Sequence, residues 1–529
     1  MTLNRLVGWR RWGVRVPSTT EKDQPASLDQ EPQRPSRPAS DAPALACAAA
    51  FLRERWSRVL AISAALLVPC FWHRHIEAGD LASHTYNAWL AQLIARGQAP
   101  GLWLARQWNN VLFDLTLSGL GSLFGLRVAE KIAVALAVLI FFWGAFALIS
   151  AIARRVSWFV LPLLAIATYG WTFEMGFLNY YLALGLSFFG LALIWRGQAW
   201  ERAWVVALVP LTWMAHPLGT ALLLGLGAYL AITRIVPQRF QPLLTAGAAL
   251  LLLAGRSYIT GHYPVRWSLT PALLFNGADQ LFLYGPRYQL PEYLLLGLAV
   301  IFLLADLFQR RTSKPALLAA YGLPLQLYAL SLLAAWSLPS GIQLPQYSAP
   351  LSLLTERLTS LCAIFTCCLL GAMKPKRWHL AGLSLVAGIF FLFLYQDTGK
   401  VDKMETQVER YLATLPPGQR IASTIWPFFG SRVFITHIVD RACIGHAFSY
   451  NNYEPPTQQF RVRATPGNPI VASDFATSDA IQTGRYVVRQ EDLPMYQIYQ
   501  CDVNMTRLCA RALTAGEPNG RYGIQPVMR

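Results

Sequence analysis

Between residues 56 and 396, long apolar runs alternate with short loops, and each run approaches the roughly 20 residues that a helix needs to cross a bilayer. The runs fall near 56–72, 129–153, 156–176, 177–195, 203–215, 217–233, 240–259, 291–308, 315–336, 351–373 and 378–396. The stretch 203–233 reads as two short helices that meet at Ala215-His216-Pro217, since a proline after a polar residue favours a turn. One further segment, 107–125, is apolar enough to span but is broken by Asn109, Asn110, Asp114 and several glycines.

The basic loops decide that ambiguity, because Lys and Arg collect on the cytoplasmic side of membrane proteins. If 107–125 lies in the interface, then Arg53/Arg55/Arg58, Arg154/Arg155, Arg196/Arg202, Arg234/Arg239, Arg310/Arg311/Lys314 and Lys374/Lys376/Arg377 all fall inside. If it crosses, Arg154-Arg155 and every later basic loop invert. The first alternative predicts a polytopic α-helical protein with about eleven spans and a cytoplasmic N-terminus. The loop 73–128, with two interfacial helices, and the tail 397–529 then lie on the outer face of a bacterial-type inner membrane. Composition agrees, with 54% apolar residues, 14% charged residues and 18 tryptophans. The net charge of +17 is then a topology signal and not a nucleic-acid footprint.

Residues 1–45, rich in proline, serine and mixed charges, cannot bury enough apolar surface to fold and read as a disordered cytoplasmic tail. No cleaved signal peptide is expected ahead of the first span. From 397 onward Gly, Pro, Asn, Gln and Tyr replace the Leu/Ala runs, with β-type segments at 420–425, 432–436 and 485–488. That change predicts a separate extracytoplasmic α/β domain. Cys501 and Cys509 form a disulfide or stay free thiols, and Cys443 has no obvious partner in either case.

Three groups on the expected outer face carry chemistry. The first is Glu77 and Asp80 in His73-Arg-His-Ile-Glu77-Ala-Gly-Asp80, followed four residues on by His84. Asp80 suits the cap of a helix starting at Leu81, and the same carboxylate, held beside low-dielectric lipid, suits a general base. The second is Glu356-Arg357 just inside a span, where an ionised pair is costly and either locks two helices or serves a substrate. Arginine presents a planar fork that matches phosphate. The third is a scatter of polar residues at span ends: Glu174, Asn179, His216, Arg256, His262, Arg266 and Arg287. His73, His75, Glu77, Asp80 and His84 could ligate a divalent metal, but no spacing among them matches a zinc pattern, so no cofactor is expected.

The order of these features resembles the GT-C superfamily of integral-membrane glycosyltransferases. The resemblance lies in Gly79-Asp80-Leu-Ala-Ser-His-Thr-Tyr opening the outer loop, in a first interfacial helix ending at Arg96-Gly97, and in a second closing on Leu123-Phe124-Gly125 before Ala129-Glu-Lys. It extends to Met214-Ala-His216-Pro-Leu-Gly219 and Glu356-Arg357, covering about residues 56–396 of a transmembrane domain that runs over 46–396. It implies sugar transfer with inversion from a polyprenyl-phosphate carrier to a glycan, lipid or protein acceptor. Asp80 would be the base, with Glu77 and His84 beside it. Arg357, His216, Arg256 and Arg266 would hold the lipid phosphate, supported by Glu356, Glu174 and Asn179. The chain departs from the family pattern in lacking an Asp-x-Asp in the loop and in carrying His216 where several members have lysine. The competing classes are a secondary transporter or flippase, whose charges would line a path, and a non-catalytic membrane scaffold.

Overall fold

The computed structural model describes residues 44–311 and 313–520, so all but the end of the expected N-terminal tail lies outside the described residues. The chain begins with α1 (Ala44–Leu67), which bends at Arg55 where the backbone leaves helical geometry. There follow α2 (Leu81–Ala95), β1 (Leu102–Leu104), α3 (Leu112–Phe124), α4 (Leu126–Ala153), α5 (Leu161–Thr168), α6 (Trp171–Glu174) and α7 (Leu178–Arg196). Next come α8 (Ala199–Ala215), α9 (Pro217–Ile235), α10 (Gln241–His262), β2 (Val265–Arg266), α11 (Gln289–Arg310), α12 (Lys314–Ser337), β3 (Gly341–Ile342), α13 (Leu354–Gly371) and α14 (Arg377–Leu412).

Helix falls in every one of the eleven apolar stretches, and among the described residues eight helices are long and apolar enough to cross a membrane. The architecture is that of a polytopic helical membrane protein. Residues 156–176 do not form one continuous helix as the pattern predicts. They break at Tyr169-Gly170 into α5 and the single turn α6. Gly170 is extended there and packs so closely that a Cβ would meet the carbonyl oxygens of Ala167 and Gln280 at 3.2 Å. The break between α8 and α9 falls at His216, whose φ of −165° and ψ of 131° are extended, and Pro217 opens α9.

The ambiguous segment 107–125 contains only α3. Its 13 residues rise about 20 Å, short of the roughly 30 Å hydrocarbon core. The neighbouring α2 differs from a half-exposed interfacial helix, because ten of its fifteen residues are buried. Its polar face is covered by the tail: Asn452 donates to Ser83 Oγ at 2.9 Å and the Ser449 amide donates to the Tyr86 hydroxyl at 3.0 Å.

Helix α14 runs unbroken for 36 residues, so the expected boundary at 396/397 lies inside one rigid rod that carries the span into the tail. Beyond it lie β4 (Arg420–Thr424), α15 (Ile438–Ala442), β5 (Phe448–Ser449), α16 (Glu454–Thr457), β6 (Val462–Ala464), α17 (Phe475–Gln482), β7 (Met495–Gln500) and β8 (Leu508–Ala512). A mixed sheet has the order β5-β4-β7-β8, with β4 parallel to β5 and β7, and β7 antiparallel to β8. Strand β4 matches expectation, whereas 432–436 and 485–488 form no strand. The sheet takes β7 and β8 instead, whose Cys501 and Cys509 are joined in a disulfide. Cys443 is buried and free. The tail also grips the loop 73–128 through an antiparallel pairing of β1 with β6.

Candidate functional site

Two close-packed turns build the turn that carries Asp80. The Asp80 amide donates to the Met175 carbonyl at 3.0 Å, and the Leu81 amide to Ala78 at 2.7 Å. This approach requires glycine on both sides. Gly79 has φ of 25° and Gly176 φ of 76°, and a Cβ on Gly176 would sit 2.5 Å from the Asp80 nitrogen. Asp80 occupies the cap position of α2, yet its side chain makes no capping bond. The capping role expected of it is not what the carboxylate does. Asp80 Oδ1 lies instead 3.6 Å from Nε2 of His437, a residue of the tail.

His437 stands at the start of α15, with its Nδ1 2.8 Å from Oδ2 of Asp440 one turn on. Asp440 is buried and also accepts hydrogen bonds from Asn452 Nδ2 at 2.8 Å and from Ser449 Oγ. The Tyr453 ring packs beside the imidazole at 5.3 Å between centroids. Burial alone would lower the His437 imidazole, but Asp440, then Asp80 and Glu454, more than reverse this and raise it to about 9. Glu454 is buried, and its Oε1 has no hydrogen-bond partner. Burial raises its carboxyl to about 7 against the opposing pull of His84.

His84 does not pair with Asp80 through its side chain. Its Nδ1 meets Asp114 Oδ1 at 2.7 Å, and Asp114 Oδ2 accepts from Asn179 Nδ2 at 2.8 Å. Asn179 Oδ1 in turn accepts from the Phe113 amide at 2.9 Å, so this asparagine fixes α3 against α7. Burial would lower His84, and Asp114 overcomes it by charge and hydrogen bond, holding the ring up to about 10. A group raised on folding stabilises most below its ordinary value of 6.5 and loses that contribution as pH rises through the folded value. Melting of the purified protein should therefore fall between pH 8 and pH 10. Asp114→Asn should cost about 1.5–3 kcal/mol at pH 7 and flatten that dependence, which a melt series across this range checks.

Arg357 and His216 meet from α13 and the α8–α9 break. The Arg357 guanidinium lies 3.9 Å above the Phe177 ring, its carbonyl accepts from the Tyr180 hydroxyl at 3.1 Å, and its buried Nε has no hydrogen-bond partner. The expected Glu356–Arg357 pair does not form. Glu356 turns to Ser340 Oγ, at 2.9 and 3.2 Å from its two oxygens. His216 Nδ1 accepts from the Leu218 amide at 3.1 Å, which places the proton of the neutral ring on Nε2. That Nε2 lies 3.5 Å from Arg357 Nη1. Two donors thus share one small space, an arrangement that an anion completes. The Phe177 ring under the guanidinium lies two residues beyond Met175, whose carbonyl holds the Asp80 amide.

Other expected site residues lie elsewhere. Glu77 is buried in an ionic knot on Arg441 of α15. The guanidinium reaches Glu77 at 3.3 Å, Glu130 at 2.8 Å and Glu405 at 2.6 Å. Burial and then Glu405 push the Glu77 carboxyl well above its ordinary value. Glu174 is buried and accepts from the Tyr284 hydroxyl at 2.9 Å. Arg256 is exposed over Trp267, and Arg266 is exposed in β2. His75, Glu77 and Asp402 form the one group among the described residues with ligand-like spacing, within 4.8 Å. His75 Nδ1 is already 2.9 Å from Asp402, and Glu77 is held by Arg441.

The sequence reading missed His437, Asp440, Arg441, Tyr453 and Glu454. A signal was present in Ile435-Thr-His437-Ile-Val-Asp440-Arg441-Ala, where three ionisable residues interrupt an apolar run. Comparison with known proteins finds no matching family model, no similar curated protein and no similar solved structure.

Proposed function

We propose that the chain is an inverting membrane glycosyltransferase that moves a sugar from a polyprenyl-phosphate carrier to an acceptor on the outer face. The observation that carries this reading is the buried Arg357 guanidinium, with an unpartnered Nε and a second donor at His216 Nε2, resting on the Phe177 ring two residues beyond Met175, whose carbonyl holds the Asp80 turn. Such a site has a cationic end fitted to phosphate and an acidic end fitted to a proton. Asp80 takes the proton from the acceptor hydroxyl as that oxygen bonds to the anomeric carbon. The carbon–oxygen bond to phosphate breaks with its electron pair, and Arg357 and His216 hold the charge that develops. Positioning of the two substrates and cations arranged in advance would supply most of the rate.

The proposed topology keeps eleven crossings, with α2 and α3 at the outer membrane surface and the tail in the periplasm. The tail closes over α2 and contributes side chains to the site.

Purified protein supplied with a radiolabelled polyprenyl-phosphate sugar and an acceptor extract should form labelled product. Arg357→Gln should lower kcat/KM for the donor about 100- to 1,000-fold, and Arg357→Lys should recover only part, because a point charge cannot replace the fork. Equal donor kinetics in Arg357→Gln would remove the phosphate from this position. Movement of unmodified substrate into sealed vesicles without product would instead indicate a transporter.

A further inference from the structure

We propose that Asp80, His437 and Asp440 act as one carboxylate–imidazolium–carboxylate unit, in which His437 is a positioning residue that the tail delivers to orient Asp80. The inference rests on the reading of Asp80 as the base, while the unit itself stands on geometry.

Asp440 accepts from three donors: His437 Nδ1, Asn452 Nδ2 and Ser449 Oγ. A carboxylate with three donors cannot rotate without losing them. The ring of His437 is thereby fixed, as an imidazole is fixed by the buried acid behind it in a catalytic triad. Its Nε2 then faces Asp80 Oδ1 at 3.6 Å, close enough for strong attraction but longer than a full hydrogen bond.

The charged groups acting on His437 come from three elements and are all acids: Asp440 in α15, Asp80 at the start of α2, and Glu454 in α16. The Tyr453 ring packs beside the imidazole at 5.3 Å between centroids. A ring enclosed in this way keeps a proton on both nitrogens at neutral pH. One oxygen of Asp80 is engaged by that imidazolium, and the other is left for the acceptor hydroxyl. The acceptor's proton passes to Asp80 alone, and both His437 protons stay where they are. The tail is therefore part of the reaction centre and not a cover over it, since Asp80 has no capping bond of its own to hold it.

The test uses the full chain labelled with 15N-histidine. The chain has eight histidines, and His437 is assigned by loss of its signal in His437→Gln. In wild type both ring nitrogens should remain protonated at pH 7.5, and in Asp440→Asn one proton should be lost at that pH. A neutral His437 in wild type overturns the unit, whether or not any sugar is transferred. In the transfer assay, His437→Gln should lower kcat about 100-fold with the donor KM within about threefold, and added imidazole should restore part of the rate to His437→Gly. An unchanged kcat in His437→Gln also overturns the proposal. Absence of transfer by wild type would remove the reading of Asp80 as base, and the histidine resonances would still decide whether the unit exists.

Discussion

Replacing Asp80 by asparagine should lower sugar transfer by about 100- to 10,000-fold while leaving the fold and the donor affinity nearly intact. The first half follows from loss of the only proton acceptor proposed for the acceptor hydroxyl. The second half follows from an unusual feature of the position. Asp80 sits where helices are normally capped, but its side chain makes no capping bond, so asparagine costs α2 nothing there. The backbone bonds that hold the turn, from Asp80 to Met175 and from Leu81 to Ala78, do not involve the side chain. Single-turnover transfer, donor binding and thermal melting together check this. Full transfer by Asp80→Asn would end the assignment. A large loss of melting temperature would mean that Asp80 is a structural residue.

The largest loss of stability should come from Arg441→Met. Three carboxylates surround this one guanidinium, and Glu77, Glu130 and Glu405 are all buried. Removing one partner of a buried pair typically costs about 3–5 kcal/mol, and here three acids lose their counter-ion together. They come from three parts of the chain, the loop after α1, the start of α4 and the end of α14, so the tail would lose one of its anchors on the helices. Limited proteolysis should cut the tail faster in Arg441→Met. An acid raised on folding favours the folded state while it is protonated, and that advantage fades as pH rises from its ordinary value toward the folded one. The variant should therefore recover part of its stability at pH 5 relative to pH 8, and Glu405→Gln in the same chain should recover more at pH 8. A variant that melts like wild type at pH 8 would show that the knot is not needed.

The two predictions turn on two neighbouring acids, Asp80 itself and Glu77, which Arg441 binds. Glu77 and Asp80 lie three apart at the lip of a span, and the sequence favours Asp80 only through its place at the start of a helix. Their separation comes from what arrives from elsewhere. Arg441 takes Glu77 into a structural knot, and His437, four residues before Arg441, stops opposite Asp80. Glu356 and Arg357 teach the same lesson in reverse. Neighbours in sequence project to different sides of a helix, so Ser340 took the acid and Phe177 the arginine, leaving the guanidinium unpaired by Glu356. Arg256 and Arg266 had the right charge and the expected side of the membrane, but they end exposed.

What the sequence determined by itself was the helical, polytopic architecture and the break at His216. Each depends on local quantities, the length of an apolar run or a proline after a polar residue. Only the tertiary structure decided that the tail belongs to the site. The contacts of His437 with Asp80 and of Arg441 with Glu77 and Glu130 join residues more than 300 positions apart. Attraction between such groups depends on distance and burial in space, and neither leaves a periodic trace along the chain.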